Sequence, residues 1–278
     1  MATAPPSLRT RFTELVGCTV PVQLAGMGWV SGVDLSAAVS QAGGLGMVAF
    51  PMATPEALTG LLEDVRRRTT RPVGINFLLP LLQDHACIDI AAERMSVVEF
   101  LWATPSPRLV ARVQAGGALA AWQVGSVEEA REAAYAGCDF VVVQGVEAGG
   151  HVRGSRALLP LLGEVVEHVD IPVVAAGGIA TARSVAAVLA AGADGARIGT
   201  RFIATTETLL AGAAVPVPAS SPFCPTRTTT GQVDAMPLYA GEAVGAVTRI
   251  EPAADVIREL ATGAVALLNR ALSGPDPD

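Results

Sequence analysis

The residues best suited to chemistry lie in one stretch, Gln144-Gly145-Val146-Glu147-Ala148-Gly149-Gly150-His151-Val152-Arg153-Gly154. A core histidine has no need of flexible, close-approaching backbone on both sides, so His151, framed by glycines, is expected to face a ligand. There it could donate a hydrogen bond or exchange a proton. His85 and His168 lack that setting, and His168, beside Glu167 at the end of an expected helix, reads as a surface residue. Two further runs, Ala175-Ala176-Gly177-Gly178-Ile179 and Arg197-Ile198-Gly199-Thr200-Arg201-Phe202, place glycines where chain segments end. Glycine lets backbone N–H groups come close to a phosphate, so Gly177, Gly178, Gly199 and Thr200 read as a phosphate site, against the plainer reading that they only permit tight turns. On the first reading a side chain grafted onto Gly178 projects into the phosphate position. Arg201 divides evenly between a phosphate ligand and a salt-bridged scaffold residue. Asn76 carries an amide that can donate and accept at the edge of a ring or carbonyl, and Gln123 and Gln144 offer weaker versions of the same function. Met27, between Gly26 and Gly28, either lends backbone contacts to a bound ring or fills the interior.

Other chemistries fall away. No paired carboxylates, HxxxH pattern, His/Asp cluster or nucleophile elbow is present, which leaves neither a hydrolase nor a metal site. All 19 basic residues are Arg, and without a lysine amine neither a Schiff base nor pyridoxal-phosphate chemistry can be built. Cys18, Cys87, Cys138 and Cys224 show no metal-ligand spacing and read as reduced, mostly buried thiols. The net charge is −7, and the one basic cluster, Arg66–Arg68, ends an expected helix as a solvated face, so nucleic acid is not an expected partner. No apolar run approaches the roughly 18 residues that cross a bilayer. The start of the chain, with Arg9, Arg11 and Glu14, has no signal-peptide core, so a cytoplasmic location is expected.

The elements that must hold these residues alternate regularly. Short apolar, β-branched runs at Val20–Met27, Leu45–Phe50, Val73–Leu78, Val97–Trp102, Ala118–Val124, Phe140–Gln144, Pro172–Ala176 and Gly195–Ile198 read as strands. Helices fit between them: Thr54-Pro55-Glu56 opens Ala57–Arg67, and Ser126 opens Val127–Ala136 with Glu128 and Glu129 in the first turn. Ala-Gly pairs before the second, sixth and eighth strands supply helix C-terminal glycines. Repeated βα units of this number are expected to close into a (β/α)₈ TIM barrel, and no GxGxxG follows the first strand to favour an open dinucleotide-binding sheet. A hydrophobic share of 51% with 16% charge supports one large core, so residues 1–278 read as a single domain. A short irregular Pro-rich segment is expected at about 205–231, and a last helix, from about Pro252 to Leu272, covers the barrel. Working residues of such barrels sit at the C-terminal ends of strands, which is where the runs above fall.

Taken together, Gln23-Leu-Ala-Gly-Met-Gly, Ala42-Gly-Gly-Leu-Gly, Gly74-Ile-Asn-Phe, Gln144-Gly-Val-Glu-Ala-Gly-Gly-His, Ala175-Ala-Gly-Gly-Ile-Ala and Ile198-Gly-Thr-Arg-Phe resemble the nitronate monooxygenases, formerly 2-nitropropane dioxygenases. The likeness runs from about Pro21 to Phe202 and resumes at Met236-Pro-Leu-Tyr-Ala-Gly-Glu-Ala-Val-Gly. It implies bound FMN and oxidation of an alkyl nitronate to a carbonyl compound and nitrite, with O₂ as electron acceptor and a small-molecule substrate. It further implies that His151 is the catalytic residue, that Gly177, Gly178, Gly199 and Thr200 contact the phosphate, and that Met27, Asn76 and Gln144 contact the ring; Gln123, Gly149 and Gly150 are read as further cofactor-binding residues. The same strings resemble FMN-dependent enoyl-acyl-carrier-protein reductases, which use a nicotinamide, and a non-catalytic flavin-binding scaffold is the alternative of another class. Oligomeric state is left open, a homodimer included. Between Phe202 and Met236 the family carries a longer, partly helical stretch, so the shorter Pro-rich connection here implies a more open pocket mouth.

Purified protein is therefore expected to be yellow and to release FMN, not FAD, on denaturation, as read by its visible spectrum and by chromatography of the supernatant; FAD, or no flavin, refutes this.

Overall fold

Eight parallel strands form in the computed structural model, which describes residues 8–28, 30–50, 52–208 and 239–273. They are β1 (Val22–Leu24), β2 (Gly46–Ala49), β3 (Val73–Leu78), β4 (Val97–Leu101), β5 (Leu119–Val124), β6 (Phe140–Gln144), β7 (Val173–Ala176) and β8 (Gly195–Ile198). Their order is β1-β8-β7-β6-β5-β4-β3-β2. The Gln23–Leu45 bridge, with Leu24 N–H donating to Leu45 O and Leu45 N–H to Val22 O, both at 2.9 Å, joins β1 to β2 and closes the ring. The fold is the expected (β/α)₈ barrel. Strands β3, β6 and β8 keep the limits read from the sequence. Strand β1 is shorter than Val20–Met27, because the Met27 N–H turns to Ser31 Oγ at 2.7 Å and leaves the ladder.

Helices α1 (Arg11–Val16), α2 (Val33–Gln41), α3 (Pro55–Arg68), α4 (Ala86–Arg94), α5 (Pro107–Ala115), α6 (Val127–Tyr135), α7 (Leu158–Val166), α8 (Ala182–Ala190), α9 (Thr200–Ile203) and α10 (Ala253–Ser273) follow in order. Their starts use local chemistry. Thr54 accepts from Ala57 N–H with Pro55 in the first turn of α3, Ser126 accepts from Glu129 N–H at α6, and Thr181 and Ser184 form a reciprocal capping box at α8. The Ala-Gly stops behave as expected: Gly43, Gly137 and Gly192, with φ of 102°, 89° and 97°, turn the chain from helix into β2, β6 and β8. Helix α10 covers the barrel wall by packing on α8 and α2. Among the described residues no helix is long and apolar enough to cross a membrane. The Pro-rich segment falls largely within 209–238, outside the described residues.

Strand alternation separates two environments. Phe77, Phe100 and Trp122 occupy one face of β3, β4 and β5, with ring centroids 6.3 Å and 5.0 Å apart. Their neighbours Asn76, Glu99 and Gln123 occupy the other, inside the barrel. At the N-terminal end α1 acts as a lid: Phe12 meets Phe140 edge-on at 5.3 Å, and Arg11 holds Asp194 through Nε at 2.9 Å and Nη2 at 2.7 Å. Asp194 also accepts from Val173 N–H at 3.0 Å, so this carboxylate joins β7, β8 and α1.

Replacing Asp194 with Ala orphans a buried amide as well as the half-exposed Arg11, and the loss is expected at about 2–3 kcal/mol. Thermal melts should show Asp194→Ala lowered by roughly 4–10 °C and Arg11→Ala by clearly less; equal shifts would remove the amide from the account.

Candidate active site

The C-terminal ends of the strands surround a cavity of about 260 Å³ open to the centres of water molecules. One water needs roughly 10–15 Å³ on that measure, so the space admits a sizeable ligand.

Its floor is polar where a barrel interior is usually filled by branched apolar side chains. Register sets Asn76 beside Glu99 and Gln23 beside Arg197. Glu99, wholly buried, accepts from Asn76 Nδ2 at 2.7 Å and Arg197 Nη1 at 2.5 Å on Oε1, and from Gln23 Nε2 at 3.0 Å on Oε2. Arg197 Nη1 also reaches Gln123 Oε1 at 3.0 Å. Two buried atoms of this network have no partner, Gln23 Oε1 and Gln123 Nε2.

The β6–α7 loop is tied down by its own polar groups. Gln144 Oε1 accepts from Arg153 N–H at 2.9 Å and its Nε2 donates to His151 O at 3.2 Å, which folds residues 144–153 back on themselves. Glu147 accepts from Leu158 N–H at 2.9 Å, satisfying the start of α7. Glu129 holds the far side, taking Gly125 N–H at 2.8 Å and Arg153 Nε at 2.9 Å. The segment after residue 238 then docks on this loop. Glu242 N–H donates to Glu147 O at 2.9 Å and Gly241 N–H to Thr200 Oγ1 at 3.0 Å. Gly149 is there because the approach is close: a Cβ would stand 2.2 Å from Tyr239 O.

His151 sits exposed at the rim, its ring 5.9 Å from Trp102 and 5.5 Å from Tyr239. Trp102 adopts φ 60°, a left-handed conformation rare for a residue with a Cβ, and its ring stands at 82° to the imidazole. No described residue hydrogen-bonds the imidazole nitrogens.

All of the residues expected at the site, Met27, Asn76, Gln123, Gln144, Gly149, Gly150, His151, Gly177, Gly178, Gly199 and Thr200, line this one cavity. Several sit there for reasons other than those expected. A Cβ added to Gly178, at φ 64°, would meet Glu147 Cβ at 3.2 Å, and one added to Gly177, at φ 117°, would meet Gly145 O at 3.1 Å. Both glycines serve the protein's own turn as well as the cavity. The backbone of Met27 is occupied by Ser31, so only its side chain is available to a ligand. Arg201 is a scaffold residue, buried and salt-bridged to Glu251. The N–H groups of Gly178, Gly199 and Thr200 make no hydrogen bond to any described residue. Burial raises the thiols of Cys18 and Cys138 to about 12, so neither supplies a thiolate near neutral pH; Cys224 lies outside the described residues. Sequence reasoning passed over Gln23, Glu99 and Arg197, although a charge inside each of two apolar strand runs is itself a signal of cross-barrel pairing. It also passed over the aromatic neighbours Trp102 and Tyr239.

A family model described as nitronate monooxygenase matches residues 9–88 and 82–215. The chain is 41% identical over 202 residues to the (3aS,4S,5R,7aS)-5-hydroxy-7a-methyl-1-oxo-octahydro-1H-indene-4-carboxyl-CoA dehydrogenase of Rhodococcus jostii, covering 72% of this chain and 57% of that relative. The chain thus spans little more than half the relative's length. Among solved structures it is similar to FabK from Thermotoga maritima, with a TM-score of 0.85 and 26% identity over 96% of this chain and 99% of the other. It is also similar to nitroalkane oxidase from Streptomyces ansochromogenes, with a TM-score of 0.78 and 30% identity over 95% and 100% of the two chains.

The contact at Gly149 separates space from strain. Gly149→Ala is expected to lift the 239–246 segment and raise its amide hydrogen exchange at least about tenfold, whereas Gly150→Ala, at φ 76° with open space beyond its Cβ, adds only about 1–2 kcal/mol of backbone strain. Equal exchange in the two variants would contradict this.

Proposed function

The chain belongs to the nitronate monooxygenase family, and from that premise we propose that it is an FMN-dependent oxidoreductase that oxidises alkyl nitronates with O₂, His151 being its catalytic side chain. The observation that carries the reading is the convergence on one cavity of an unencumbered imidazole, unpaired loop amides and amide side chains. FMN, when bound, would take two electrons from the substrate and pass them to O₂.

The residues present fit that group. The free N–H groups of Gly178, Gly199 and Thr200 suit a dianionic phosphate, and the unpaired Gln123 Nε2 suits a ring carbonyl at the floor. Asn76 and Met27 border the ring from β3 and the β1 loop. Gln144 acts through the loop it folds, and Gly149, Gly150 and Gly177 let backbone pass close to the ring. His151, at the rim with free ring nitrogens, would hold a nitronate oxygen by a hydrogen bond, and would take the α-proton from a neutral nitroalkane.

A second reading has its own support. The cavity wall includes Phe50, Leu78, Leu81, Leu82 and Leu101, and the 41% identical relative is a dehydrogenase of a fused-ring acyl-CoA. On that reading the substrate is a bulkier carbon acid, and the same imidazole takes a proton next to a carbonyl. Steady-state constants for nitronates of increasing chain length, set beside a cyclic acyl thioester, distinguish the two.

Exchanging His151 for Asn should leave the fold and flavin content intact and slow flavin reduction by about 10²–10⁴. Loss of a base abolishes reaction with neutral nitroalkane and spares the preformed nitronate, whereas loss of anion binding damages both. Stopped-flow reduction with each substrate form reads the difference, and unchanged rates with both take His151 out of the chemistry.

A further inference from the structure

The floor of the cavity holds a buried carboxylate that no catalytic step above requires. Glu99 is 0% exposed, and each of its oxygens is committed. Such a group is costly to keep inside a barrel unless its partners are fixed, so what it fixes matters. An amide side chain has two faces of opposite polarity and nearly identical shape, and only its hydrogen-bond partners decide which face a ligand meets. Asn76 gives Nδ2 to Glu99, which leaves Oδ1, an acceptor, as its free polar atom. Gln123 Oε1 accepts from Arg197, itself held by Glu99, which leaves Nε2, the buried donor without a partner among the described residues. Both residues line the cavity, and Gly26, whose absent Cβ would stand 2.6 Å from Asn76 Cβ, leaves the room that Asn76 occupies.

We propose that Glu99 is a positioning residue that sets the polarity of the cavity floor, so that Asn76 meets a ligand as an acceptor and Gln123 as a donor. The complementary ligand edge carries an N–H beside a carbonyl, which is an imide edge. Resting on the flavin reading above, the proposal assigns this floor to the N3–H and adjoining carbonyl of the flavin's pyrimidine ring, and Glu99 touches neither. Reversal of Asn76 would set its amide N–H against the ligand's N–H, and reversal of Gln123 its oxygen against the ligand's carbonyl, so the ion pair excludes a wrongly polarised site and not merely an empty one.

The test is a comparison of two ligands on apo-protein prepared by removing flavin: FMN, and FMN methylated at N3, which lacks the proton Asn76 would accept. Wild type should prefer FMN by about tenfold or more, the usual effect of leaving one buried acceptor unpaired. Asn76→Leu keeps the bulk and removes the acceptor, and should bring the ratio of dissociation constants to within about threefold of unity. Glu99→Gln frees the Asn76 amide to turn and should erode the same ratio, and in the Asn76→Leu background it should change the ratio no further. A purely structural Glu99 would weaken both ligands equally and leave the ratio alone, which would overturn the proposal. Retention of the wild-type ratio by Asn76→Leu would overturn it as well, by showing that the methyl group is excluded by bulk, and this variant decides the matter even if Glu99→Gln fails to fold. Wild type that binds FMN without preference refutes the polarity inference alone. Wild type that binds neither ligand refutes the flavin reading, and the inference with it.

Discussion

The Glu99–Arg197 pair is the interaction around which the barrel interior is arranged. Two charges from β4 and β8, strands apart in the ring, meet in a place that side chains of Val, Ile and Leu ordinarily fill. A pair so buried gains little net stability over an apolar replacement, yet loss of one partner strands the other charge at about 3–5 kcal/mol. The consequence is specificity of arrangement. Each neighbour that joins the pair, Gln23 from β1, Asn76 from β3 and Gln123 from β5, is held in one orientation, so five of the eight strands present fixed polar atoms inside the barrel.

That rigid floor is matched by a rim built of loops, and the two are stabilised differently. Where the floor relies on side-chain pairing, the rim relies on backbone contacts made possible by glycine. Gly149 and Gly241 stand where a Cβ would strike backbone, so the β6–α7 loop and the returning segment at 239–246 fix each other. Gln144 links floor and rim: it belongs to β6, yet both ends of its amide are used on the loop that carries His151. The imidazole is thus set by its main chain and by flanking aromatic rings, while no described residue takes its nitrogens.

Much of this was legible in the sequence because period-two strands, capping residues and Ala-Gly stops are local signals. The limits of β3, β6 and β8 follow from apolar runs bounded by breakers, and the glycine loops fall at strand ends because the alternation places them there. The site residues could be grouped for the same reason: in a (β/α)₈ barrel, strand ends that are far apart in the chain share one face. What local patterns do not carry is partnership. Nothing around Gln144 in the sequence tells whether its amide faces a ligand or its own loop, and nothing around Gly178 tells that its missing Cβ makes room for Glu147. Met27 shows the same limit, since the hydroxyl that occupies its backbone lies four residues away, past a turn. Glu99 and Arg197 are 98 residues apart and each is flanked by apolar neighbours. Read singly they are anomalies, and only strand order makes them a pair.

The division between floor and wall explains why family membership speaks more directly to a cofactor than to a substrate. Residues that would meet a flavin belong to strand ends whose positions the barrel dictates: move Asn76 or Gly199 and the register of β3 or β8 must move too. Residues that would meet the substrate belong to the mouth, where Phe50, Leu81 and Leu82 follow β2 and β3 in connections that the barrel's hydrogen bonds do not constrain. Substitution there changes the size and shape of the space above the floor without disturbing any strand pair. A chain can therefore resemble proteins as different as a nitroalkane oxidase and a fused-ring acyl-CoA dehydrogenase, because the barrel's strand pairing fixes the floor while the connections at the mouth are free to reshape the space above it.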